Sequence, residues 1–196
     1  MPVFLTQFVL ISPSLKLPKN GHATGSLLRN RRYETIISLI YGCGLRLEEI
    51  RKLRVTDINW DRNVIHIHGK GSKERILPLD DSFSGHVKKH IENNHDLVYL
   101  FKGMEKGKPY ARRTIQKIYD HACENAGINR TGGVHNLRHS YATHLLEQGV
   151  DINKIKTLLG HSSVKTTQIY THVSSREICK IRSPLAGIIR STEGTT

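Results

Sequence analysis

The chain has 196 residues, 37% of them hydrophobic and 24% charged, which suffices for one globular domain with a buried core. Thirty Lys and Arg against 17 Asp and Glu leave a formal net charge of +13, pointing to a polyanionic partner and to nucleic acid first. No apolar run reaches the roughly 18 residues of a membrane span, and aromatic residues, at 6%, are too few for a platform that stacks single-stranded bases.

Residues 1–30, punctuated by Pro13, Pro18, Gly21 and Gly25, read as an irregular N-terminal arm. Its apolar stretch from Val3 to Ile11 is interrupted by Thr6 and Gln7 with no basic residue before it, so no signal peptide is expected. From Arg31 the pattern turns helical, with Ile36, Ile37, Leu39 and Ile40 leading to Gly42-Cys43-Gly44. A second helix is expected through Leu47, Ile50 and Leu53, with Glu48 and Glu49 near its positive end. Three short β-prone runs follow: Asn59-Trp60, Val64 to His68, and Arg75 to Leu79. Asp61-Arg62-Asn63 and Gly69-Lys70-Gly71-Ser72 separate them as turns of an antiparallel meander, and Pro78 places the last run at an edge.

The rest of the chain reads as helical. One helix, capped by Asp81 or Ser82, runs through Val87 and Ile91. Others span Arg112 to Ala126, His135 to Gln148 and Ile152 to Leu159, stopped by Gly127, Gly149 and Gly160, the last of them capped by Asp151. A short helix from Ser162 or Ser163 carries Tyr170, and another follows Ser183-Pro184. The fold class is mainly α with a small three-stranded antiparallel β-sheet. Cys43, Cys123 and Cys179 lack metal-ligand spacing and read as reduced thiols.

Two blocks carry chemistry. The first is Gly44-Leu45-Arg46-Leu47-Glu48-Glu49-Ile50, followed by Gly69-Lys70-Gly71-Ser72-Lys73-Glu74-Arg75. The second runs His135-Asn136-Leu137-Arg138-His139, Leu158-Leu159-Gly160-His161-Ser162 and Ile169-Tyr170-Thr171-His172. The steps are 24 from Arg46 to Lys70 (70 − 46), 23 from Arg138 to His161 (161 − 138) and 9 from His161 to Tyr170 (170 − 161). In this order and spacing the blocks resemble the signature of tyrosine recombinases of the phage integrase family, particularly Xer-type and mobile-element integrases. The resemblance covers residues 31–190, the expected catalytic domain, and leaves 191–196 as a flexible tail. Full-length members add an N-terminal helical domain that closes over the other face of the DNA, and residues 1–30 are too few for it. Leu17-Pro18-Lys19 looks like the family's entry into the catalytic domain, but Asn20 to Arg29 lacks the amphipathic helix expected there.

The resemblance implies a site-specific recombinase that cuts and rejoins double-stranded DNA through a 3′-phosphotyrosine bond, with Tyr170 as nucleophile. Attack on the phosphodiester builds charge on its non-bridging oxygens, and guanidiniums, cationic at any working pH, can hold them in bidentate fashion. Arg46 and Arg138 would fill that role. His135 resembles the family's general acid/base and His161 the histidine that hydrogen-bonds the phosphate. Lys70 resembles the general acid for the leaving 5′-hydroxyl, with Lys73 its rival, and Glu49 is expected to orient Arg46 or cap its helix. No metal or cofactor is implied. His135 and His139 lie one helical turn apart with His144 beyond, but the glutamate of a metalloprotease helix and a third ligand are missing.

As partners the resemblance implies DNA and further copies of the chain: a tetramer on DNA through the C-terminal segment, with Val173, Ile178, Ile181, Leu185, Ile188 and Ile189, and a monomer when free. A cytoplasmic, nucleoid-associated bacterial protein is expected. The competing functions are a type IB topoisomerase-like strand transferase and a DNA-binding remnant that occupies a site without cutting it.

Overall fold

Helix α1 (Ala23–Cys43) ends in two turns whose side chains are buried on every side, Ile36, Ile37, Leu39, Ile40, Tyr41 and Cys43 among them. A helix apolar all round belongs inside, and α1 is the central rod of the structure. Around it pack α2 (Leu47–Lys52), α3 (Asp81–Glu92), α4 (Arg112–Asn125) and α5 (His135–Glu147). Helix α6 (Ile152–Leu159) lies against α5. The computed structural model describes residues 23–69, 74–94, 97–103, 105, 107–128, 132–160 and 181–184, with side chains from residue 31 onward, Ser82 excepted. No helix among them is long and apolar enough to cross a membrane.

The helix expected from Arg31 begins at Ala23, so residues 23–30 belong to α1 and not to an irregular arm. Once its far end is anchored in the core, a helix propagates with one hydrogen bond per added residue. That gain offsets weak helix formers such as Gly25 and Asn30, which cost about 1 kcal/mol or less each. Residues 1–22 lie outside the described residues, as do the short helix expected around Tyr170 and the tail 191–196. Pro184 is helical, and the remainder of the helix expected after it is outside as well.

Strands β1 (Ile58–Asn59), β2 (Val64–His68) and β3 (Glu74–Pro78) form one antiparallel sheet in the order β1-β2-β3. Pro78, which has no N–H for a further strand, is on an edge strand as expected. Ile65 pairs with Leu77 and Ile67 with Arg75, so these four residues share one face of the sheet. Ile65, Ile67 and Leu77 are buried there, and β3 packs on α6. The connection from α3 to α4 departs from the expected run of helices. Tyr99 bridges Arg54, and Leu100 N–H donates to the Leu53 carbonyl at 2.7 Å, which buries Leu100 and Phe101 in the core. The apolar run Val98 to Phe101, closed by Gly103, is too short for a helix and pairs instead with the exit of α2.

Helix α1 terminates at Gly44, whose φ of +61° is open to glycine at little cost, and Leu45 N–H donates back to the Ile40 carbonyl at 3.1 Å. A Cβ at Gly44 would sit 2.5 Å from a ring carbon of the buried Tyr141. Gly44→Ala should therefore cost the roughly 1–3 kcal/mol of a left-handed non-glycine residue and, beyond that, displace the ring. Gly127→Ala, at φ +65° with open space around the added carbon, carries the backbone cost alone. Urea denaturation should place Gly44→Ala clearly below Gly127→Ala, and equal losses would mean that the Tyr141 contact yields freely.

Candidate active site

Arg46 stands just before α2 as its cap, and Glu49 is the third residue of that helix. The spacing lets Glu49 reach back: Arg46 N–H donates to its Oε2 at 2.7 Å and Arg46 Nη1 to its Oε1 at 2.9 Å. Glu49 thus both caps the helix and orients Arg46, the two roles expected of it. The second arginine nitrogen, Nη2, donates to the Gly160 carbonyl at 2.9 Å.

Arg138 arrives from α5, on the buried face that also carries Leu137, Tyr141 and Leu145. Only 6% of it is exposed, so its charge needs partners. Nη1 donates to the Gly44 carbonyl at 2.6 Å and Nη2 to the Leu159 carbonyl. Nη1 is also 3.9 Å from Glu49 Oε2. Arg46 and Arg138 are therefore brought together around one carboxylate.

A third arginine completes the cluster. Arg75 donates from Nε to the Leu158 carbonyl at 2.8 Å and from Nη1 and Nη2 to the two Glu49 oxygens at 2.8 and 2.7 Å. Leu158, Leu159 and Gly160, consecutive at the end of α6, thus each give their carbonyl to a different arginine. The last carbonyls of a helix have no partner within it and form the negative end of its dipole, so cations gather there. Sequence reading missed Arg75, although the signal was available. Period-2 alternation with the inward Leu77 and Leu79 turns Arg75 toward the core.

Charge follows from this packing. Burial pushes the Glu49 carboxyl up, but the hydrogen bonds and charge of Arg75, followed by the bonds from Arg46, outweigh it and hold it down at about 2. Burial and then the charge of Arg46 push Arg138 down to about 10 against the opposing pull of Glu49, which leaves it cationic at neutral pH. A guanidinium has five N–H donors. Among the described residues Arg75 spends donors on all three of its nitrogens, whereas Arg46 and Arg138 each engage only Nη1 and Nη2 in hydrogen bonds. The cluster holds three cations to one carboxylate and keeps donors in reserve, an arrangement suited to an oxyanion.

His135, the first residue of α5, is exposed one helical turn before Arg138. Lys70, its rival Lys73, His161 and Tyr170 lie outside the described residues, and His161 follows Gly160 directly in the chain. Of the other histidines, His139 is exposed. His144 is buried with Nδ1 2.6 Å from the Tyr41 hydroxyl, fastening α5 to α1.

Residues 25–177 match the model of the phage integrase family. The tyrosine recombinase XerD of Staphylococcus epidermidis is 40% identical over 167 residues, 81% of this chain and 56% of that protein. XerD of Staphylococcus haemolyticus is 38% identical over 79% of this chain and 55% of its own. The chain thus spans about half the length of the curated relatives it matches. Among solved structures, the XerA recombinase superposes with a TM-score of 0.66 at 25% identity, over 88% of this chain and 60% of that one. The XerH recombinase in a pre-cleavage complex with its difH substrate gives 0.70 at 25% identity, over 89% of this chain and 50% of that one.

Removing Glu49 would leave three guanidiniums facing one another. Glu49→Ala should cost about 3–5 kcal/mol at neutral pH, as for breaking a buried ion pair from one side. The Glu49 carboxyl is held below its ordinary 4.5, so its stabilising charge is fully present above that pH and is lost as pH falls toward about 2. Denaturation of the wild type and Glu49→Ala should therefore show a gap that is constant from pH 7 to 5 and narrows below 4.5. A gap independent of pH would mean that the carboxylate charge does not hold the cluster.

Proposed function

The chain belongs to the phage integrase family, and from that premise we propose that it is the catalytic part of a site-specific DNA strand transferase. It cuts duplex DNA by attack of the Tyr170 oxygen on a phosphodiester and rejoins the strand by attack of a 5′-hydroxyl on the phosphotyrosine. The observation that carries this reading is the pairing of Arg46 and Arg138 around Glu49, on the carbonyls of Gly160 and Leu159, with donors left over for a phosphate.

In the transition state the non-bridging oxygens gain negative charge, and prepositioned guanidiniums stabilise it without reorganising. Tyr170 loses its proton to a neighbouring base as its oxygen bonds to phosphorus, and the P–O5′ bond breaks. Lys70, between β2 and β3 in the chain, gives the departing 5′-oxygen its proton. His135, exposed at the start of α5, serves as general acid/base, and His161, next in the chain after Gly160, hydrogen-bonds the phosphate. The energy of the phosphodiester is kept in the phosphotyrosine, so rejoining uses no nucleotide. The net charge of +13 and the likeness to XerH, solved bound to its difH substrate, support duplex DNA as the partner.

On DNA the chain assembles as a tetramer through its C-terminal segment and is a monomer when free. Support for docking of that segment on its own domain in the free chain comes from Ile181, packed against the core, and from the buried Ser183 and Pro184.

A duplex nicked near the scissile phosphate tests the reading, because loss of the short fragment traps the covalent intermediate. The wild type should accumulate an adduct, and Tyr170→Phe should bind the duplex equally and form none. Arg46→Ala and Arg138→Ala should each slow adduct formation on bound DNA by about 10²-fold or more. An adduct in Tyr170→Phe would place the nucleophile elsewhere. Bound DNA without any wild-type adduct would leave a site-occupying remnant.

A further inference from the structure

Arg75 is an arginine at a position where β3 turns its side chains inward. It shares its sheet face with Ile65, Ile67 and Leu77, and its side chain is 10% exposed. Its aliphatic stem lies against the end of α6, close enough that a Cβ on Gly160 would stand 3.1 Å from Arg75 Cδ. The guanidinium is spent on the protein: one edge on the Leu158 carbonyl, and a two-pronged fork on both oxygens of Glu49. That geometry is the strong, orientation-fixing form of an Arg–carboxylate pair.

Glu49 faces charged groups from three elements: Arg46 at the cap of α2, Arg75 on β3 and Arg138 on α5. At the end of α6 three carbonyls hold those same arginines. Its neighbour Glu48 is engaged elsewhere, with Arg51 and Arg112. If Arg75 did not occupy both carboxylate oxygens, Glu49 would draw on Arg46 and Arg138 alone, and those are the arginines whose remaining donors a phosphate needs. Arg75 is the second residue of β3, and its bond to the Leu158 carbonyl ties that strand to α6.

We propose that Arg75 is a positioning residue of the strand-transfer site: by holding both Glu49 oxygens and the Leu158 carbonyl, it fixes Arg46 and Arg138 with their remaining donors available to the scissile phosphate. The proposal rests on the strand-transfer reading and deepens it. Arg75 does not itself touch DNA.

The test is a double-mutant cycle on the nicked duplex with Arg75→Met, Glu49→Gln and the pair, alongside Arg75→Lys. Each rate of adduct formation is measured on saturating DNA from pH 5 to 8. Arg75→Met should slow the reaction on saturating DNA tenfold or more, a loss of rate beyond any loss of affinity. Adding Glu49→Gln to it should cost little more than the worse single change, since the two residues act as one unit. Arg75→Met should also lose more of its rate toward pH 5 than the wild type does, as burial then dominates the Glu49 carboxyl and raises it. Arg75→Lys, which keeps a charge and loses the fork, should recover part of the rate, and it carries the test if Arg75→Met does not fold. Losses that multiply in the double variant, or an unchanged rate and pH profile, would overturn the proposal. If the wild type forms no adduct, the strand-transfer reading fails, and titration with inorganic phosphate then decides the positioning role. Binding by the wild type that is weakened tenfold or more in Arg75→Met supports it, and equal affinities overturn it.

Discussion

The site depends on one interaction, the grip of three successive carbonyls at the end of α6, together with the Glu49 carboxylate, on three guanidiniums. Like charges do not gather without a counterweight, and here the counterweight has two parts. The helix end supplies Leu158, Leu159 and Gly160 carbonyls that have no partner within the helix. Glu49 supplies a full charge, 8% exposed and held ionised down to about pH 2. The cost of the concentration is visible in Arg138, whose guanidinium is driven down to about 10 by burial and by Arg46. The remaining architecture delivers these groups to one point. The cap of α2 brings Arg46, the inward face of β3 brings Arg75, and the buried face of α5 brings Arg138. The turn ending α1 brings the Gly44 carbonyl that closes around Arg138.

Gly44 shows how closely fold and site are joined. Its left-handed backbone ends the central helix, its missing side chain admits the Tyr141 ring, and its carbonyl accepts a hydrogen bond from Arg138. The same three residues, Gly44-Leu45-Arg46, begin the first of the two sequence blocks that resemble the family's signature. The short spacing is a direct consequence of a helix that must stop, turn and present an arginine three residues after its last helical residue, Cys43.

Local features were legible from sequence because they are local. Glycines after apolar helical runs marked the ends of α4, α5 and α6, Asp151 was read as the cap it is, and Pro78 gave the edge of the sheet. The reach of Glu49 back to Arg46 was legible for the same reason, being a contact between residues three apart. What was not legible depended on partners distant in the chain. The first turns of α1 contain Gly25 and Asn30, and their helical state follows from the anchored core turns further on. The pairing of Leu100 with Leu53, the Tyr41–His144 hydrogen bond and the meeting of Arg138 with Gly44 and Leu159 join residues 21–103 positions apart. Arg75 falls between these cases. Alternation alone turns it inward, but only the folded chain reveals that an inward arginine there has a carboxylate to meet.

In the proposed mechanism Arg75 faces the protein, while Arg46 and Arg138 face the phosphate. Nitrogen-15 spectra of the arginine Nε–H groups, recorded while the nicked duplex is added to the Tyr170→Phe protein, read that division directly. The Nε–H signals of Arg46 and Arg138 should shift together as the duplex saturates the chain, while that of Arg75 stays where its bond to the Leu158 carbonyl holds it. A shift confined to Arg75, or spectra in which Arg46 and Arg138 are unmoved by bound DNA, would contradict it.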